Sequence, residues 1–248
     1  MTKPIRTITI GVTGRRHIAP YAIREIEKAT QQLFERLARV VDARFVLETG
    51  LAIGADSIAA KAAVAANRRK QSAKIYVRAV LPMPRADYED DFKSDALPGE
   101  LSERAAFRAL LAACDDVVEL PIVTRRARGE FARVDQYVAL GERLVRNSDL
   151  LLAYWNPENP TFKPGGTVDV VTRKLADVKA RNEGLVFSIG TPENVREKTG
   201  NGEKIYRPEN MTRFGGFALN DGELLPSELA QSALDALVKA LHVTLLDT

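Results

Sequence analysis

Residues 7–12, Thr-Ile-Thr-Ile-Gly-Val, alternate polar with apolar positions and then run into β-branched residues, which predicts a strand that stops at Thr13-Gly14. From Pro20 the apolar positions Ile23, Ile26, Ala29, Leu33, Leu37 and Val40 recur every three or four residues and share one face of a helix. Residues 44–49 read as a second strand, and 56–67 as an alanine-rich helix able to lie close against a sheet. A third strand over 74–81 is stopped by Pro82 and Pro84, and the polar, acidic stretch 85–99 predicts a long loop. Then come a helix over 101–114, a short strand over 116–120 and a helix over 129–146. Residues 149–155, Asp-Leu-Leu-Leu-Ala-Tyr-Trp, are almost continuously apolar, as in a central parallel strand buried on both faces. A helix over 168–181 and a last strand over 185–189 follow; the chain then turns polar to about residue 210 and closes with an amphipathic helix over 227–243.

This alternation predicts an α/β fold, a Rossmann-like doubly wound and mostly parallel sheet with helices on both faces. Residues 1–194 form the expected ligand-binding core, with the polar loop and helix of 195–248 packed on the same domain.

Composition narrows the function classes. Of 248 residues, 45% are hydrophobic and 28% charged, and no apolar run approaches the ~20 residues of a membrane helix, so a soluble cytoplasmic protein is expected. The start runs straight into a strand pattern without a cleavable apolar segment. The single cysteine, Cys114, excludes an internal disulfide and reads as a small helix residue. His17 and His242 lie at opposite ends of the chain with no Cys/His cluster, so no metal site is expected. The net charge of +3 suits phosphates or nucleic acid without selecting either.

Three strand-to-helix junctions carry small residues: Gly11-Val12-Thr13-Gly14, Gly50 through Gly54-Ala55-Asp56, and Pro164-Gly165-Gly166-Thr167. In a parallel sheet they would gather flexible backbone and helix N–H groups at one edge, where a phosphate can be held. Thr13, Gly14, Arg15, Arg16 and His17 bring a hydroxyl, amides and cations; Gly50 and Gly54 permit close approach; Asp56 suits either a helix cap or a ligand hydroxyl. The G-x-x-G spacing, and a second strand ending in Thr49-Gly50-Leu51 rather than an acid, speak against a dehydrogenase dinucleotide site. Asp87, Tyr88, Glu89, Asp90 and Asp91 form an acidic cluster with one aromatic that either meets a base or ribose or is a solvated loop. Arg125, Arg126, Arg128 and Arg133 offer phosphate contacts or a solvated face.

Together, Gly11-Val12-Thr13-Gly14-Arg15-Arg16, Thr49 through Asp56, Leu81-Pro82-Met83-Pro84 with Tyr88 and Phe92, Asn147 through Trp155, and Gly165-Gly166-Thr167 resemble the SLOG superfamily, in its small bacterial branch with a G-x-T-G-[HR]-R start. That Rossmann-like group includes the LOG phosphoribohydrolases and the core of DNA processing protein A. The resemblance implies a nucleotide-type pocket and a homodimer. The LOG enzymes carry P-G-G-x-G-T-x-x-E; here Pro164 through Asp169 lacks the third glycine, and Val170 stands where the glutamate would fall.

Three readings follow. The first is binding or sensing of a nucleotide or NAD-related ligand through Gly11, Thr13, Gly14, Arg15, Arg16, Gly50, Gly54, Asp56, Tyr88, Gly165, Gly166 and Thr167, with no cofactor. The second is LOG-like hydrolysis of a nucleoside monophosphate at its N-glycosidic bond, with Asp169, Arg16 and Asp56 as catalytic candidates and Glu48 as a further carboxylate. The third is single-stranded DNA binding, which requires strongly salt-dependent affinity.

Overall fold

A computed structural model describes residues 5–18, 20–41, 43–68, 75–96, 101–123, 131–155, 162–181, 183–191, 197–198, 204–205, 214–218, 224–226 and 230–241. Its elements run β1 (Thr7–Gly14), α1 (Pro20–Val40), β2 (Arg44–Thr49), α2 (Ala55–Arg68), β3 (Ile75–Leu81), α3 (Arg85–Tyr88) with a 3-10 turn (Glu89–Asp91), α4 (Glu103–Ala112) and β4 (Asp116–Glu119). The chain continues through α5 (Arg133–Asn147), β5 (Leu150–Trp155), α6 (Thr167–Arg181) and β6 (Leu185–Gly190). It ends with β7 (Glu197–Lys198), β8 (Lys204–Ile205), β9 (Phe214–Ala218), β10 (Leu224–Pro226) and α7 (Ala230–Leu241).

Among the described residues the main sheet has the order β10-β9-β6-β5-β1-β2-β3-β4. From β4 to β6 every neighbouring pair is parallel, whereas β9 runs antiparallel to β6 and β10 antiparallel to β9. The result is a doubly wound, Rossmann-like α/β sheet. Strand order reverses at β1, which pairs with β2 on one side and β5 on the other, and such a reversal opens a crevice at the carboxyl ends of the strands.

The two faces of β5 explain its continuous apolar sequence. Leu150, Leu152 and Tyr154 join a core with β1, β2, β3, α1, α2 and α4, while Leu151, Ala153 and Trp155 join a second core with β6 and α6. A strand covered by helices on both faces has no polar positions to show. On the α5 side, Leu140 and Leu144 pack on Val80. Ala59, Ala60 and Ala63 of α2 are fully buried, so the alanine-rich stretch is the close-packing helix its composition predicts.

Two expectations need correction. The stretch 85–99 contains α3 and a 3-10 turn, because Tyr88 and Phe92 are buried against Phe107, and this aromatic cluster draws the polar segment onto the core. Residues 185–189 are not the last strand: β9, Phe-Gly-Gly-Phe-Ala, adds to the edge of β6. Its short, glycine-bearing sequence shows no alternation, and pairing with an existing edge makes it a strand. The closing helix is present as α7, and its Leu237 and Leu241 are buried in the core shared with α1.

No helix among the described residues is long and apolar enough to cross a membrane. Cys114 is half-buried and donates to the Leu110 carbonyl at 3.3 Å, and burial pushes its thiol up to about 11, a poor nucleophile.

Candidate functional site

The crevice at the β1/β5 reversal is a cavity of about 700 Å³, a size usual for small-molecule sites. Its floor is the exit of β1. Thr13 is buried, and the Arg15 amide donates to the Tyr154 carbonyl at 3.1 Å. The next turn is stitched onto it, since the Ala55 amide donates to the Arg15 carbonyl at 3.1 Å. Glycine is required on both sides of this seam. A Cβ on Gly14 would lie 2.3 Å from Ala55 Cβ, and Gly54, at φ +89°, would put one 2.4 Å from the Arg15 oxygen. The first two junctions are thus one packed unit.

The third junction, which opens α6, packs on α5. Gly165 adopts φ +69° and lies so close to Tyr137 and Val138 that a Cβ would come within 2.6 Å of the Tyr137 carbonyl carbon. Gly166, Thr167 and Val168 line the cavity where α6 begins, with Lys163 and Pro164 beside them. Asp169 stands behind this turn, not in the cavity wall. Its carboxylate accepts from the Gly165 amide at 2.8 Å and from Arg173 Nε at 2.7 Å. Burial pushes its pKa up, but the hydrogen bonds from Arg173 and Gly165 outweigh that and hold it below the usual value.

Asp56 is the carboxyl in the cavity floor. It is buried and accepts from the Gly50 amide at 3.1 Å, so it closes the turn leaving β2 instead of capping α2. Burial pushes its pKa up to about 7, against the opposing pull of the Arg16 charge and the amides of Gly50 and Ala52. Beside it Tyr88 is fully buried and donates its hydroxyl to the Gly50 carbonyl at 2.9 Å, and burial pushes this phenol upward. Tyr88 therefore lines the cavity while its hydroxyl is spent on the fold.

The rim carries charge. Arg16 lies 5.2 Å from the Tyr137 ring centroid, donates to the Tyr137 hydroxyl at 2.9 Å and stands 3.6 Å from Asp91. Arg133 donates to the Asp87 carbonyl at 2.9 Å and to Asp91 at 2.5 Å. Glu89, one turn away, is instead a structural group: Arg108 and Arg85 hold its pKa well below the usual carboxylate value. The acidic cluster is therefore neither a free loop nor a uniform ligand surface.

The structure brings Thr13, Gly14, Arg15, Arg16, His17, Asp56 and Tyr88 together with Gly165, Gly166 and Thr167 on one cavity. Gly11, Gly50 and Gly54 stand outside its wall. Gly11 is small because a Cβ would meet Ser148 at 3.0 Å, and Gly50 because one would meet Leu140 at 2.9 Å. Glu48 is buried in β2 and bound to Arg78 and Arg143, away from the cavity. Arg125, Arg126 and Arg128 lie outside the described residues.

No family model and no curated protein matches the chain. Among solved structures it is similar to DNA processing protein A from Streptococcus pneumoniae, with 15% identity, 69% of this chain and 48% of that chain covered, and a TM-score of 0.42. A second, a structure of single-stranded DNA binding by DNA processing protein A from Helicobacter pylori, gives 11% identity over 94% of this chain and 80% of that one, with a TM-score of 0.41. The molybdenum cofactor carrier protein from Chlamydomonas reinhardtii gives 16%, 69%, 72% and 0.37 in the same order. The chain spans about half the length of the first of these.

Sequence reasoning missed the α5 side of the site, namely Tyr137, Leu140, Gly141 and Leu144, together with Trp155 from β5. One signal was available. Gly141 sits mid-helix, where glycine is unfavourable by about 1 kcal/mol unless packing needs it. Here a Cβ would strike Val170 at 2.8 Å, and the Gly165 backbone is 4.0 Å away. Among the described residues no group of His, Cys, Asp or Glu could hold a metal ion.

Proposed function

We propose that this cavity binds a phosphate-bearing, nucleotide-type ligand. The observation that carries the reading is the meeting of Thr13 through Arg16 with Gly166 through Val168 across one cavity at the strand-order reversal. Amides at the start of α6 and the hydroxyls of Thr13 and Thr167 supply donors, Arg16 supplies charge, and Val12, Trp155 and Val170 supply an apolar wall for a base. Asp56 is placed to meet a ribose hydroxyl.

Calorimetric titration with AMP, ADP-ribose and NAD tests this, using Gly166→Val as the damaged cradle. A Cβ at Gly166 already meets the Lys163 carbonyl at 3.0 Å, so a branched side chain displaces that turn. Saturable binding by the wild type and its loss in a folded variant support the reading; equal affinity in both refutes the cradle.

Hydrolysis of an N-glycosidic bond is the second reading, and one observation favours a single residue for it. Of the three candidate carboxyls, Asp56 alone lines the cavity, whereas Asp169 is spent on Gly165 and Arg173, and Glu48 on two arginines. Released base in the same titration mixtures, abolished by Asp56→Asn, would establish it. Salt-sensitive capture of an oligonucleotide, unaffected by Gly166→Val, would instead favour single-stranded DNA.

A further inference from the structure

Three donors from two separate segments converge on a single carboxylate at the cavity rim. Arg133, the first residue of α5, reaches one oxygen of Asp91 at 2.5 Å, and the Tyr137 hydroxyl, one turn later, donates to the other. Arg16, from the β1 exit, lies 3.6 Å from that second oxygen and bonds the same tyrosine hydroxyl at 2.9 Å. All four residues line the cavity. Two guanidiniums and a phenol around one carboxylate are the donor set that recognises a planar or tetrahedral oxyanion.

We propose that Arg16, Arg133 and Tyr137 form an oxyanion site whose place Asp91 keeps, and that a phosphate or carboxylate group of the bound molecule takes this place by turning the Asp91 side chain aside. The inference rests on the nucleotide reading for the identity of that molecule, but not for its anionic group.

Charge supports the exchange, because two arginines facing one carboxylate leave one positive charge unmatched, whereas a dianion in the carboxylate's place matches both. Exposure supports it too. The side chains of Arg16 and Arg133 are 41% and 37% exposed and that of Asp91 16%, so both guanidiniums keep contact with water while Asp91 turns aside, which limits the cost of breaking these pairs. The backbone around Asp91 stays in place during the exchange. Tyr88 and Phe92 flank it, buried with Phe107 at ring separations of 4.4 to 5.6 Å, so only the aspartate side chain needs to rotate. Glu89 has no such role, since Arg85 and Arg108 hold it outside the cavity lining.

The test is titration of the wild type, Asp91→Asn and Asp91→Ser with inorganic phosphate and with AMP, alongside their thermal unfolding midpoints. Loss of the internal anion is expected to tighten phosphate binding about tenfold or more. Adding Tyr137→Phe to Asp91→Asn should remove most of that gain. Phosphate affinity that is unchanged or weaker in both Asp91 variants overturns the proposal and makes Asp91 a residue that merely positions the arginines. Tighter phosphate binding with no AMP binding by any of the proteins keeps the oxyanion site and removes the nucleotide reading. AMP and phosphate affinities equal in wild type and variants remove the exchange and leave the nucleotide reading standing.

Discussion

The Gly50 amide donates to Asp56 Oδ2 at 3.1 Å, so the carboxyl at the start of α2 closes, from inside the protein, the turn that leaves β2. This places a buried ionisable group between the cavity and the core. Its pKa and its position have one cause, the burial that this turn imposes.

Stability should therefore depend on the ionisation of Asp56. Its folded pKa of about 7 lies above the ordinary aspartate value of 3.8, so between these two values the native state keeps a proton that the unfolded chain has released. The contribution of this group to stability falls as pH rises through that window and changes no further above it. Asp56→Asn removes the ionisation, so its stability relative to wild type should rise by about 2 to 4 kcal/mol between pH 4 and pH 8. Urea unfolding at the two pH values measures this; a constant difference would refute it.

Gly14 should tolerate no side chain. A Cβ there would lie 2.3 Å from Ala55 Cβ and 2.7 Å from Tyr154 Cβ, both fixed by backbone. Gly14→Ala is expected to destabilise by about 2 kcal/mol or more and to weaken binding of any ligand held by the β1 exit. A denaturation midpoint equal to that of wild type would show that the seam between the first two junctions is looser than these distances require.

Asp169→Asn separates support from chemistry. The amide oxygen can still accept from Gly165, whereas the charge that holds Arg173 is gone. A loss of about 1 kcal/mol in stability is expected, with ligand affinity reduced several-fold and no selective effect on turnover. In wild type the depressed pKa of Asp169 makes its stabilising contribution present at neutral pH and lost as pH falls through the folded value. Complete loss of a measured hydrolysis with unchanged affinity would restore Asp169 as a catalytic group.

Lys174 should behave as a buried cap on the end of α5. It is 1% exposed and donates to the carbonyls of Val145, at 3.0 Å, and Ser148. Lys174→Met keeps the apolar stem but strands both acceptors, at an expected cost of about 2 to 3 kcal/mol. Chemical denaturation checks this, and a change below 0.5 kcal/mol, within the ordinary range for surface substitutions, would contradict it.

Local pattern was sufficient for the parallel core of the fold. The strands β1, β2, β3, β5 and β6 carry apolar runs that match their burial, and β5 announced its central place by lacking polar positions, whereas β4, Asp-Val-Val-Glu at the sheet edge, has no buried residue. The stretch from Asp87 to Asp91 misled for a physical reason. Its charges are partly neutralised by Arg85, one helical turn before Glu89, and by Arg16, Arg104, Arg108 and Arg133 from other segments, and the burial of Tyr88 within it and of Phe92 just after it outweighs its polarity. The strand β9 was likewise invisible, because its glycine-bearing sequence has no alternation and it takes its conformation from pairing with β6 on one side and β10 on the other.

The sequence by itself determined that three small-residue junctions would stand at the ends of parallel strands, since glycine and strand periodicity are local properties. Which glycines line the cavity and which merely let backbones touch was decided only by tertiary packing: Gly14 and Gly54 weld two turns together, Gly11 and Gly50 make room for Ser148 and Leu140, and Gly165 and Gly166 shape the opposite wall. The same holds for the acids. Asp56, Asp91 and Asp169 are alike in sequence, but their burial and their partners make the first a protonatable floor, the second the internal anion of the rim and the third a brace, because a carboxylate's chemistry is set by the charges and amides that the fold places around it.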